Sequence, residues 1–315
     1  MSAAILSRLL KISTLTTHRV LIRSASSSSS SSSLFLTTPH YTIVNHHLVR
    51  WYHNYYPHDL PGIPNDGKVV LLNNSKTGYQ VYLVGTIHVS KESADTVKKV
   101  INYVMPDVVA VELCNKRAIE LMKWKPGDDD LYKLCLKSMK SPGGLSMKLF
   151  SFLINLWYRR LRAGGTFPGL EFKVAMEESI RVKAECFPID QDVRVLFQQL
   201  SKLLSYDFLW KICTKVSEES KEIDQLLNYF TDSKDEDMTR SSVREMTSFL
   251  KKVYPEISRV IVEDRDKVMF TRLRRFRGKV VAVVGMGHMD GIEHMWKSTE
   301  NDDNQKPPAT SEDVT

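Results

Sequence analysis

The stretch Val81-Tyr-Leu-Val-Gly-Thr-Ile-His88-Val-Ser90 decides the fold, because its pattern returns two hundred residues later as Val280-Val-Ala-Val-Val-Gly-Met-Gly-His288. Each is a run of apolar residues followed by Gly-x-x-His. Four or five consecutive apolar residues bounded by glycine describe a strand buried on both faces, as in the middle of a parallel sheet. Both histidines then stand just past strand ends. In open α/β sheets ligands bind in the crevice beyond the carboxyl ends of the strands, so the two histidines are expected over one site. The fold class read from this pair is α/β, with a central, mostly parallel sheet carrying two Gly-x-x-His strand ends and a large helical insertion.

The flanking residues fill in this frame. Val69 to Leu72, a turn at Asn73-Asn74 and Thr77-Gly78, and Tyr79 to Val84 describe a hairpin feeding the first buried strand. Ser90 is a natural helix cap, and Ala94, Val97, Val100, Ile101 and Val104 recur at helical steps up to Pro106. Asp107 to Leu113 is a second buried strand, parallel to the first across this crossover. A carboxylate in such a strand is costly unless paired or bound to a cation, so Glu112 is expected in the same crevice as His88. Arg117, early in the next helix, can turn back to it.

Downstream, Leu170 to Lys183 reads as a helix with Phe172, Met176 and Ile180 as its core stripe and Glu171 at the border. Glu185 to Ile189 reads as a strand, and Asp190 as the cap of the helix after it. Two or three helices are expected from Val193 to Phe230, then a charged loop at Asp232 to Asp237. A last long helix runs from Pro255 to Gly278, with Ile257, Ile261, Arg265, Met269 and Leu273 facing inward. An arginine on that stripe needs an acceptor, and Glu171 is the expected one.

Of the 44 basic residues, five (Arg8, Lys11, Arg19, Arg23 and Arg50) fall in residues 1–50, which hold no acid, so the body is close to neutral. No basic stripe interleaved with aromatics follows, which sets nucleic acid aside. The acid-free leader carries Ile5, Leu6, Leu9 and Leu10 at helical spacing and a serine run from Ser26 to Ser33. This describes an organelle transit peptide, mitochondrial in first place and plastid in second. Residues 51–67 form an irregular lead-in segment, 68–297 the folded domain and 298–315 a polar, disordered tail. No segment reaches the roughly 18 apolar residues that span a bilayer. The nearest, Leu145 to Trp157, reads as a core helix, with an interfacial helix and peripheral membrane contact as the alternative. Cys114, Cys135, Cys186 and Cys213 lack zinc spacing and read as reduced thiols.

Two imidazoles and a carboxylate suit two chemistries. A divalent ion on His88, Glu112 and His288 would lower the pKa of bound water to about 7 and polarise a carbonyl. Arg117 or Arg265 would then stabilise the developing oxyanion. Without metal, one histidine would be a general base on water, with Glu112 fixing its tautomer. A plain structural role is the competing account: Glu112 with Arg117 and Arg265 with Glu171 as buried ion pairs.

Gly85-Thr-Ile-His88-Val-Ser, Val111-Glu-Leu-Cys-Asn-Lys-Arg117, Gly169-Leu-Glu171-Phe, Asp264-Arg265-Asp266 and Val284-Gly-Met-Gly-His288-Met-Asp-Gly-Ile together resemble the TraB domain of the TraB/PrgY/GumN and Tiki superfamily. The resemblance implies a fold similar to the erythromycin-esterase and ChaN-like folds. It implies a metal-dependent hydrolase acting on peptide or protein substrates, with His88, Glu112 and His288 holding Mn, Co or Zn. Glu112, Arg117, Glu171 and Arg265 are the catalytic and supporting charges it implies. The alternative it carries is a non-catalytic organelle protein acting through interactions in mitochondrial membrane organisation. Two departures favour that alternative: Gln191 stands where relatives have arginine, and Asp264 where they have glutamate.

Overall fold

The structure, a computed structural model, describes residues 58–75, 77–125, 128, 130–203 and 238–305. The expectations for the leader, for 51–57, for the helices and loop within 204–237 and for the end of the tail lie outside these residues.

Five strands form one sheet: β1 (Val69–Asn73), β2 (Gln80–Thr86), β3 (Val108–Val111), β4 (Glu185–Pro188) and β5 (Lys279–Gly285), in the spatial order β1-β2-β5-β3-β4. Only β1 is antiparallel to its neighbour, through the expected hairpin. The others are parallel, which makes the class α/β with a mostly parallel sheet. β5 enters between β2 and β3, so the two Gly-x-x-His strands lie side by side.

The unbroken apolar runs are explained by cover on both faces. Alternate side chains of β5 point opposite ways, so Val280, Ala282 and Val284 join one core cluster while Val281 and Val283 join the other. The helix α1 (Lys91–Val104) covers the second face with the five residues its spacing marked. Its Ser90 cap accepts the N–H of Ser93, and Met105 ends it in the left-handed region at φ 46°. The helix α5 (Leu170–Val182) packs beside α1 and buries Glu171, Phe172, Ala175, Met176, Glu178 and Ser179. Ile180, expected in that stripe, is 70% exposed, because it lies just past the edge of the buried face that Phe172, Ala175, Met176 and Ser179 form.

Between β3 and α5 lie α2 (Asn115–Lys123), α3 (Leu131–Met139) and α4 (Leu145–Ala163), followed after β4 by α6 (Val193–Leu203). The other face is covered by α7 (Arg240–Val253) and by the segment expected as one helix from Pro255. That segment is instead a short turn, α8 (Pro255–Ser258), a π-helical turn (Arg259–Glu263) and α9 (Asp264–Leu273). The N–H of Asp264 bonds the carbonyl of Arg259, five residues back, and the added residue shifts the helical phase. Val260 is therefore buried where Ile257 and Ile261 were expected, while Met269 and Leu273 are buried as read.

The last helix, α10 (Met286–Gln305), runs eight residues past the domain end expected at 297. Its far end is held to the β1–β2 turn: Trp296 Nε1 donates to the Asn73 carbonyl at 2.9 Å, and Glu300 accepts the N–H of Ser75 at 2.7 Å and pairs with Arg274. No described helix is long and apolar enough to cross a membrane.

Candidate functional site

β2 and β5 end level, with Thr86 opposite Gly285, so the chain leaves both strands at one edge of the sheet. The turn after β2 is pinned, since Ser93 Oγ accepts the N–H of Ile87 at 3.0 Å and Gly169 N–H donates to the His88 carbonyl at 2.9 Å. The His88 imidazole packs on Phe172 and is half exposed. Its Nδ1 lies 2.7 Å from Oε1 of Glu171, which is fully buried. A carboxylate only accepts, so Nδ1 carries a proton and Nε2 is turned to the crevice. A Cβ added to Gly285 would lie 2.9 Å from His88 Nε2 and 3.2 Å from Glu112 Oε2. The glycine of the second motif thus lets His88 and Glu112 close over the end of β5.

Glu112 follows β3, is buried, and accepts the Gly285 N–H on Oε2 at 2.5 Å. Its Oε1 accepts from Arg265 Nη2 and lies 3.2 Å from His288 Nε2. The other His288 nitrogen, Nδ1, is 2.6 Å from Oδ1 of Asp266. With a carboxylate at each nitrogen, both must donate, and the ring is an imidazolium. Burial opposes that charge, but Glu112 and the bond to Asp266 outweigh it and push the His288 pKa up to about 9. Burial would likewise raise the Glu112 carboxyl; the charges of His288 and Arg265 overcome it and hold Glu112 well below the usual carboxylate range. Burial also raises the Asp266 carboxyl, against the opposing pull of His288.

Arg265 links two carboxylates. Its Nε and Nη2 donate to the two oxygens of Asp190, each at 2.9 Å, while Nη2 also meets Glu112. This is the planar fork geometry for which guanidinium suits buried pairs. Its Nη1 reaches back to the carbonyl of Ile261, in the π-helical turn, at 3.1 Å. Asp190 also accepts from Gln191 N–H at 2.7 Å and meets Arg117 at 3.5 Å, and its carbonyl accepts from Arg272 at 2.7 Å.

The structure therefore brings His88, Glu112, Arg265 and His288 together and rearranges their expected partners. Glu171 pairs with His88 rather than Arg265, and Arg117 with Asp190 rather than Glu112. Asp190 does not cap the next helix; Asp192 does, accepting the N–H of Arg194 at 2.8 Å. Asp264 lies outside the site against Lys267, so its difference from glutamate leaves the site intact. Gln191 turns its side chain to Gln199 at 3.0 Å. Asp266 and Asp190 were missed as site residues. Asp266 precedes Met269 by one turn on the buried face of α9, which is the sequence signal for a partnered acid.

As arranged, the residues expected to hold a divalent ion do not fit one. His288 has no lone pair to offer while both nitrogens donate, and Arg265 already neutralises Glu112. Among the described residues no group of three or more His, Cys, Asp or Glu is set to hold a metal ion. His88 Nε2 and Glu112 Oε2 remain the pair that a cation could approach.

The sequence profile of the TraB/PrgY/gumN family matches residues 70–150 and 188–305. The chain belongs to the TraB/PrgY/gumN family. The chain is 30% identical over 228 residues to an uncharacterized protein of Methanocaldococcus jannaschii, covering 70% of this chain and 54% of that one. It thus spans about half the length of that relative. It is 28% identical to the TraB domain-containing proteins of mouse and human, over 76% of this chain and 68% of each of theirs. The profile passes over 151–187, which holds most of α4, all of α5 with Glu171, and all of β4 but Pro188. The family match thus includes His88, Glu112, Asp190, Arg265, Asp266 and His288, while the partner of His88 comes from the segment between the matched parts.

Proposed function

We propose that this TraB-family chain is a hydrolase of peptide bonds in which His88 is the general base. The observation supporting it is the His88–Glu171 pair, a half-exposed imidazole whose Nδ1 is held at 2.7 Å by a fully buried carboxylate. That bond fixes the proton on Nδ1 and leaves Nε2 to take one from a water in the crevice. Arg117, partly exposed and only 3.5 Å from Asp190, supplies positive charge to the developing oxyanion. The network around Glu112 keeps the floor of the site rigid and charged. A cavity of about 610 Å³ is lined by Val89 to Glu92, which follow His88 in the chain, and by Gly164 to Thr166, and would take part of a peptide beyond the base. The acid-free leader supports delivery to mitochondria, with the plastid as the alternative.

A second reading, interaction without turnover in mitochondrial membrane organisation, is favoured by Gln191, whose side chain turns to Gln199. The two separate when the full chain is incubated with a peptide library and products are followed by mass spectrometry. Cleavage that falls at least about a hundredfold in His88→Asn, with Glu171→Gln between the two, supports the hydrolase. Cleavage unchanged in His88→Asn overturns it, and no cleavage by any form leaves the interaction reading.

A further inference from the structure

We propose that the helical hairpin α3–α4 docks the protein on an anionic lipid surface. From Leu131 to Ala163 the chain holds seven basic residues (Lys133, Lys137, Lys140, Lys148, Arg159, Arg160 and Arg162) and no acidic one. The same hairpin leaves Leu131, Tyr132, Leu136, Met139, Leu145, Leu149, Phe150 and Trp157 exposed, Leu145 by 80% and Tyr132 by 71%. On each helix the four exposed apolar residues fall within an arc of about 140° at roughly 100° per residue. The hairpin is a built unit: Asn155 Nδ2 donates to Ser138 Oγ at 3.2 Å and Ser141 Oγ meets Ser151 Oγ at 2.8 Å, with Ser151 and Asn155 on the side of α4 opposite its exposed arc.

Apolar side chains and basic ones on the same exposed hairpin select the occupant. A second copy of the chain would set the basic excess of the hairpin against itself, even with Lys133 paired to Asp128 and Lys137 to Glu120, and nucleic acid would leave the leucines and aromatics in water. An anionic bilayer surface accepts both, taking the apolar arcs among its acyl chains while the lysines and arginines meet phosphate or carboxylate headgroups. Trp157 with Tyr158 beside Arg159 and Arg160 is the composition that sits at a headgroup boundary. The family profile stops at residue 150, so most of α4 lies outside the matched residues.

Flotation of the full-length chain with vesicles tests this. Vesicles of zwitterionic phosphatidylcholine alone are expected to carry little protein, and vesicles with about a third anionic phospholipid to carry most of it. Each basic residue near such a surface contributes about fivefold to partitioning, so Lys140→Glu with Lys148→Glu should weaken binding at least about 25-fold. Leu145→Ser, at a position 80% exposed, should weaken it with the charge of the hairpin unchanged. All variants are checked for unchanged thermal unfolding. Failure of wild type to float with anionic vesicles overturns the proposal, as does binding that the three substitutions leave intact, capture by duplex RNA in preference to vesicles, or a hairpin-dependent dimer in place of lipid binding. None of these outcomes depends on hydrolysis.

Discussion

If His288 is a buried imidazolium clamped between Glu112 and Asp266, stability must depend on pH in a specific window. The group's folded pKa, about 9, lies above the ordinary 6.5. A raised folded pKa means the native state binds the proton more tightly than the unfolded state. The stabilisation is therefore fully present below about pH 6.5 and is lost as pH rises through about 9. The rise from 6.5 to about 9 corresponds to about 3 kcal/mol. The perturbation is His288→Gln, which keeps an amide donor and removes the titration. The assay is urea unfolding of both forms between pH 6 and pH 10, read as the difference between their stabilities, so that lysines, tyrosines and thiols common to both cancel. Wild type should lose about 3 kcal/mol more than the variant across that range. Parallel curves, within about 0.5 kcal/mol of one another, would refute the imidazolium.

Other perturbations probe the same network. Arg265→Met strips the cation from two buried carboxylates and should cost about 3–5 kcal/mol in urea unfolding, far more than Lys267→Met next to it, whose side chain is exposed. Gly291→Ala places a Cβ 2.0 Å from Asp266 Oδ2, so Asp266 must leave His288; about 1–3 kcal/mol should be lost, together with the pH dependence above. Gly285→Ala separates His88 from Glu112 and should lower peptide turnover far more than it lowers the melting temperature, because His88 can swing outward. Nitrogen NMR of His88 should show the Nδ1–H tautomer in wild type and a mixture in Glu171→Gln; a mixture in both forms would contradict the fixed tautomer.

The sheet and α1 were legible because periodicity reports which face of an element is buried. Val280 to Val284 could only be covered on both sides, and Ser90 with Pro106 bracketed a helix whose five core residues repeat at three and four. The repeat of Gly-x-x-His likewise placed His88 and His288 at one edge. What periodicity does not report is which charge meets which across the fold. Glu171 was given to Arg265, yet it lies on the α5 face under the turn after β2 and takes His88. Asp190 looked like a cap because it precedes a helix, yet the backbone of Asp192 starts that helix and Asp190 collects the arginines. The π-helical turn at Arg259–Glu263 leaves no apolar signature except a change of phase, so Ile257 and Ile261 were read into the core in place of Val260. Ile180 was misread for the related reason that an apolar residue one step off the buried face keeps the same sequence spacing.

In the proposed reaction His88 acts as a base without a metal. The decisive measurement is peptide-library turnover by the full chain after exhaustive chelation, wild type beside His88→Asn, with metal content determined on the same samples. Turnover that survives chelation and falls at least about a hundredfold in the variant is the predicted result. Turnover that vanishes on chelation and returns with stoichiometric Mn, Co or Zn would contradict it.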